Sequence, residues 1–264
     1  MKTNEAGRRL FLASLIASSS RLPLTGQQAA QPAASGPYVP KQNDRPEPVA
    51  GEEPGFESIF DGKTLSGWDG DPKYWRVSDG RMIGEITPET IIKSNTFIIW
   101  RGGAPADFEL RVEYRITPGG NSGINYRSMV VPDKITPNNK FAMRGYQCDI
   151  DGQNKYTGNN YEEKGRLFLA VRGQVTRVTG TRPPTIISTL GENNELAALV
   201  TNDWNSIYLI VRGNILMHSV NGYLMSVTID DDIPNRTLKG LIGVQVHVGG
   251  PMKVEYRNWR LKNF

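Results

Sequence analysis

The chain has little cysteine, little histidine and no long apolar run. One cysteine, Cys148, in 264 residues excludes a disulfide framework and any zinc or iron–sulfur site built on thiolates. Two histidines, His218 and His247, exclude a His-rich metal cage and leave little room for a Ser-His-Asp triad. Charge of one sign is scarce too. Lys and Arg number 31 against 27 Asp and Glu, a net +4. Residues 1–50 hold six of those cations and three of the anions, which leaves 25 against 24 in the remainder. A body so near neutrality offers no electrostatic footprint for nucleic acid, and that class is set aside. Apolar residues are ample: 38% over this length suffices for a full core.

Residues 1–20 read as an export signal. Lys2, Arg8 and Arg9 precede the apolar stretch Leu10–Ala17. That stretch is about half of the ~20 residues a membrane span requires, so no stable span is expected. Arg8-Arg9-Leu10-Phe11-Leu12 resembles the twin-arginine signature, with an ordinary secretory signal as the alternative. No cysteine follows the run to carry a lipid anchor. Residues 21–54, rich in Pro, Gln and Ala and without apolar periodicity, read as a disordered tether. The expected location is the periplasm or cell envelope, where a lone thiol is safest when buried.

From Gly55 to residue 264 the pattern is one of strands. Alternation of period two is cleanest in Phe108–Ile116, where Phe, Leu, Val, Tyr and Ile share one face and Glu and Arg the other. Similar runs are Ser122–Arg127, Tyr146–Asp151, Arg166–Arg172, Ser206–Val211, Ile215–Val220, Tyr223–Ile229, Leu241–Val248 and Met252–Leu261. Arg212-Gly213-Asn214 separates two strands, and Asn221-Gly222 supplies the residues of a type I′ turn. Only Asn193–Val200 has helical character. These runs predict an all-β, antiparallel jelly-roll β-sandwich. Two long loops, Met129–Met143 and Gly152–Gly165, interrupt it and are expected to shape a site.

Parity sorts each strand into a core face and a second face. Tyr146, Cys148 and Ile150 form one core set, with Gln147, Asp149 and Asp151 opposite. Asn125 and Arg127 oppose Ile124 and Tyr126, Gln245 and His247 oppose Val244, Val246 and Val248, and Arg111 and Glu113 occupy the polar face of their strand. Short, stiff amides, carboxylates, a guanidinium and an imidazole on one face suit the hydroxyls of a sugar. Antiparallel sheets also carry polar residues merely because one face meets water. His218 reads as structural or surface, and Asp230-Asp231-Asp232 as a solvated turn rather than a calcium site.

Phe60-Asp61-Gly62-Lys63-Thr64-Leu65-Ser66-Gly67-Trp68, then Trp75-Arg76-Val77-Ser78-Asp79-Gly80, open a series of motifs. Gly119–Arg127, Gly145–Asp151, Thr157–Tyr161, Trp204-Asn205, Val220-Asn221-Gly222, Gly243–His247 and Arg257-Asn258-Trp259 follow in order. Over residues 55–264 this series resembles the 3-keto-disaccharide hydrolase domain family. The resemblance implies a concanavalin A-like jelly roll that cleaves glycosides already oxidised to a ketone at sugar carbon 3. Such a ketone acidifies the C2 proton, so a base can form an enolate that expels the C1 oxygen. Glu113, Asp149 and His247 are the titratable candidates, with Arg127 to hold the enolate oxygen. Asn125, Gln147, Asp151, Tyr161 and Gln245 would position the 3-keto-sugar substrate. A divalent metal between His247 and the carboxylates is a further candidate for stabilising the enolate. Laminarinase-type glucanases of this fold place a nucleophilic glutamate where Gln147 stands, which disfavours a retaining glycosidase. The alternative is a non-catalytic carbohydrate-binding module or lectin, stacking sugars on Trp68, Trp75, Trp100 or Tyr161, although Trp75 and Trp204 fit the core. A purely structural envelope protein is a third reading, in which the polar face has no ligand.

Overall fold

A computed structural model describes residues 54–264 except 133 and 181. The expected export signal and all but the last residue of the expected tether lie outside the described residues. The strands form two sheets packed face to face. The ten-stranded sheet runs β12 (Thr185–Thr189), β11 (Gln174–Val178), β15 (Tyr223–Asp230), β14 (Ile215–Val220), β13 (Asn205–Arg212), β6 (Phe108–Ile116), β17 (Met252–Asn263), β4 (Arg81–Ile86), β3 (Trp75–Ser78), with β1 (Glu57–Ser58) also on β17. The seven-stranded sheet runs β10 (Leu167–Ala170), β9 (Asn160–Glu163), β8 (Met143–Asp151), β7 (Asn121–Val130), β16 (Leu241–Val246), β5 (Thr96–Trp100), β2 (Trp68–Asp69). Every described pairing is antiparallel except β11 with β15. Among the described residues helix is confined to α1 (Asn193–Ala197) and a 3₁₀ turn at Pro88–Thr90. The molecule is the jelly-roll sandwich that the alternation predicted.

The inner faces interdigitate to make the core. Phe108, Leu110, Val112 and Tyr114 of β6 meet Ile124, Tyr126, Tyr146, Cys148 and Ile150 from β7 and β8. Trp68 lies against Trp259, with ring centroids 5.0 Å apart, and its indole N–H donates to the Ile59 carbonyl. Trp75 is buried as expected, but so is Trp68. These rings are packed too deeply to serve as sugar platforms. Trp204 departs from expectation in the other direction. It lies half-buried on the far side of the ten-stranded sheet, with Arg115 and Arg257 over its ring. The two-residue turn Asn221-Gly222 has positive φ at both positions, as a type I′ hairpin requires.

Several elements escaped the sequence. β5, Thr-Phe-Ile-Ile-Trp, does not alternate because both its faces are covered: Phe97 and Ile99 pack under Phe141 and Met143, while Ile98 enters the main core. β9 lies within the stretch expected to be the loop Gly152–Gly165. The run Asp230-Asp231-Asp232 is not the solvated turn expected. Asp230 and Asp232 are buried, not solvated, and both accept from Arg166, which additionally binds Glu162 at 2.7 Å. Arg166 fills the cationic role that a calcium ion would take, and its departure from the strand shortens the expected Arg166–Arg172 run to β10.

Candidate active site

The face of the seven-stranded sheet turned away from the core carries the polar cluster. Register aligns Phe168, Tyr161, Gln147, Asn125 and Gly243 across five neighbouring strands, β10, β9, β8, β7 and β16. Paired positions project to the same side, so these residues line one floor. Gln147 donates its amide to Asp149 Oδ1 at 2.8 Å, and Gln245 donates to Gln147 Oε1 at 3.3 Å and to Glu163 Oε2 at 3.4 Å. Asn95 reaches Glu163 Oε1 at 3.5 Å. Asn139, on the loop before β8, clips onto Ser94 and Asn95 through its amide. The long loop thus anchors the residue that holds Glu163, and its Phe141 closes over one end of the floor. Two buried acceptors here, Asn125 Oδ1 and Gln245 Oε1, lack a hydrogen-bond partner. Buried unpaired acceptors are costly, and hydroxyl donors of a bound sugar or of water would satisfy them.

The electrostatics single out two carboxyls. Burial raises Asp149 to about 8 against the Gln147 hydrogen bond, with the charges of Asp151 and Glu163 adding to the rise. Glu163 is raised by burial too, but Lys164, the Asn95 and Gln245 amides and His247 pull it back towards the ionised form. Burial and the charges of Glu163 and Asp149 raise the Tyr161 hydroxyl. Burial thus raises both carboxyls, and perturbed titratable groups gathered in one site are a mark of acid–base chemistry.

The predicted residues divide. Asn125, Gln147, Asp149, Tyr161 and Gln245 share this floor. His247 lies half-buried just beyond the end of β16, its Nδ1 2.6 Å from the Val248 carbonyl, within electrostatic reach of Glu163. Glu113 is elsewhere. It faces outward from the ten-stranded sheet and accepts from Arg257 and Asn258, each at 2.7 Å. Arg127 is also diverted. Its φ of +44 and the bulge after Tyr126 turn it off the floor to bind the carbonyls of Ala106 and Gly213 and the Asp107 carboxylate. Asp151 spends both carboxylate oxygens on the backbone N–H groups of Gln153, Lys155 and Tyr156. His218 is a core histidine between Tyr126 and the Asn159 carbonyl, lowered by burial to about 4. Glu163 and Asn95 were missed, because β9 is too short to establish a period and Asn95 lies in a loop. Among the described residues no group of three or more His, Cys, Asp or Glu is placed to hold a metal ion. The site therefore does not fit the divalent metal considered from the sequence.

The model of the 3-keto-α-glucoside-1,2-lyase-like domain matches residues 55–262. The chain belongs to this family. Over 87 residues it is 34% identical to a 3-keto-disaccharide hydrolase of Bacteroides thetaiotaomicron, a stretch spanning 30% of this chain and 30% of that protein. A solved structure of a proposed glycosyl hydrolase from Parabacteroides distasonis superimposes with a TM-score of 0.51 at 18% identity, covering 80% of this chain and 94% of its own. A galectin-like protein of unknown function from Bacillus subtilis gives 0.51 at 14% identity, covering 75% and 90%. Those two likenesses concern the fold. As a member of the lyase-like family, this domain carries its polar floor on the seven-stranded sheet.

Proposed function

We propose that the protein cleaves 3-keto-glycosides on this floor, with Glu163 as base and Asp149 as acid. The observation that carries the reading is the buried Asp149 carboxyl, raised to about 8 on a face of amides that also holds Glu163. Asp149, raised to about 8, holds a proton at neutral pH, and Glu163 acts in its carboxylate form in this scheme. Glu163 takes the proton from C2, and the C2–H electrons pass into the enolate of the C3 ketone. Those electrons return to form a C1–C2 double bond as the C1–O bond breaks, and Asp149 protonates the departing oxygen. Addition of water across the double bond would complete a hydrolysis. The amides of Asn125, Gln147 and Gln245 orient the ring, and His247 lies within electrostatic reach of Glu163.

The ketone is essential to this scheme. Without it the C2 proton is far too weak an acid for the ~10²–10⁴-fold that a positioned base contributes. Gln147 cannot act as a nucleophile at C1, which disfavours a retaining displacement on this strand and favours elimination. The test is turnover of a 3-keto-glucoside against its unoxidised parent, with deuterium at C2. Cleavage of the ketone alone, slowed by the deuterium, is expected. Equal turnover of the parent without an isotope effect would refute the mechanism, and tight binding without any turnover would favour a carbohydrate-binding module.

A further inference from the structure

The floor continues past Tyr161 into an aromatic surface that the scheme above does not use. Tyr161 and Phe168 meet edge-on with centroids 5.1 Å apart, and Phe168 stacks on Tyr156 at 6.0 Å with 26° between planes. Tyr161 is the corner residue. It pairs with Gln147 on one side and Phe168 on the other, and it feels the charges of Glu163 and Asp149. Phe168 and Tyr156 are 42% and 43% exposed. Contiguous exposed aromatic surface rimmed by polar residues is a mark of a ligand-binding site.

Their presentation is built in. The β9–β10 hairpin turns through Lys164 with φ +53 and enters β10 at Leu167 with φ +65. Arg166 pins the turn by giving its backbone N–H and its guanidinium to Glu162. A register shift after Phe168 then interrupts the ladder, the device by which strands re-aim a side chain near a site. Tyr156 is held from the other direction, because its N–H donates to Asp151 Oδ2 at 2.6 Å.

We propose that Phe168 and Tyr156 form the subsite for the leaving group, and that this leaving group contains a ring that stacks on them. This rests on the reading of the floor as the site of 3-keto-glycoside cleavage. The keto-sugar lies over the amides, its C1 oxygen directed towards Asp149. Whatever is attached to that oxygen then extends past Tyr161 onto the platform. Pyranose C–H faces and aryl rings share the chemistry that stacks on such a surface. Asp151 acts as a positioning residue for Tyr156, without touching substrate.

The experiment compares three 3-keto-glucosides that differ only in leaving group: methanol, phenol and a second glucose. In Phe168→Ala and in Tyr156→Ala, the ratio of kcat/KM for the ring-bearing substrates to that for the methyl glycoside should fall about tenfold, through KM. Phe168→Trp should restore the ratio. A fall with the phenyl substrate alone identifies an aryl leaving group, and a fall with the disaccharide identifies a sugar. Ratios unchanged in both alanine variants, with the wild-type protein active on all three, would overturn the subsite and leave the function standing. No turnover of any of the three by the wild-type protein would overturn both. Circular dichroism and melting of the variants check that they fold, as expected for side chains so exposed.

Discussion

Gln147 and Asp149, two residues apart on one strand, share a hydrogen bond in which the amide holds the carboxyl it faces. That contact opposes the effect of burial on Asp149 but does not overcome it. The carboxyl is therefore a proton reservoir near neutral pH, fixed in place by a neighbour that cannot itself titrate.

Asp149→Asn should abolish most activity while making the protein more stable in mild alkali. The folded-state value, about 8, lies above the unfolded value of 3.8. The folded protein keeps a proton that the unfolded chain releases, so stability is greatest below about pH 4 and declines as pH rises through 8. The asparagine variant lacks that decline. Its melting temperature should exceed the parent's at pH 8–9, by an amount equivalent to about 1–3 kcal/mol, and the two should converge near pH 4. Parent activity should fall as pH rises through about 8. A good leaving group such as nitrophenol should rescue part of the variant's loss, since it departs without an acid.

Glu163→Gln and Glu113→Gln form a matched pair, each removing one negative charge. The first should cost roughly 10²–10⁴-fold in kcat, since it removes the base. The second lies on the opposite sheet, paired with Arg257 and Asn258, and should leave kcat within twofold. Steady-state assays on a 3-keto-glucoside decide between them. The reverse ranking would move the base to the other side of the sandwich.

Gly123→Ala tests the floor itself. A Cβ at residue 123 would come within 2.5 Å of the Gln147 Cδ atom. The amide must move, which loosens its hold on Asp149. The expected result is a drop of at least tenfold in kcat/KM with a smaller shift in melting temperature, together with an upward-moved alkaline limb of the pH–rate profile as Asp149 loses the hydrogen bond that opposes burial. An unchanged pH profile would show that Gln147 does not hold the carboxyl.

The sandwich was legible because burial of one strand face imposes a period of two, which Phe108–Ile116 and Tyr146–Asp151 display without interruption. Half of the site was legible for the same reason. Parity placed Gln147, Asp149, Asn125 and Gln245 on the polar side, and they meet there. Parity carries no information about sheet membership, however. Glu113 does occupy the outer face of its strand, but that strand belongs to the other sheet. Nor does alternation announce a bulge, and one residue of slip after Tyr126 sends Arg127 to the far end of the sandwich. Glu163 was hidden because β9 is four residues long, too short to establish a period. The platform of Phe168 and Tyr156 depends on a pinned turn and a ladder irregularity, neither of which has a composition signal.

The position of β17 has a consequence for how the chain is made. This strand lies between β6 and β4 and also receives β1, so Glu57 pairs with Leu261 and Leu110 with the same residue. Until residues 252–263 have left the ribosome, β6 and β4 have no common neighbour and the larger sheet exists as two unjoined halves. Loop closures of ~150–200 residues are slow relative to local hairpins. The nascent domain must therefore wait with open sheet edges, a state prone to aggregation and open to chaperones. The larger sheet is joined only once residues 252–263 are free to pair.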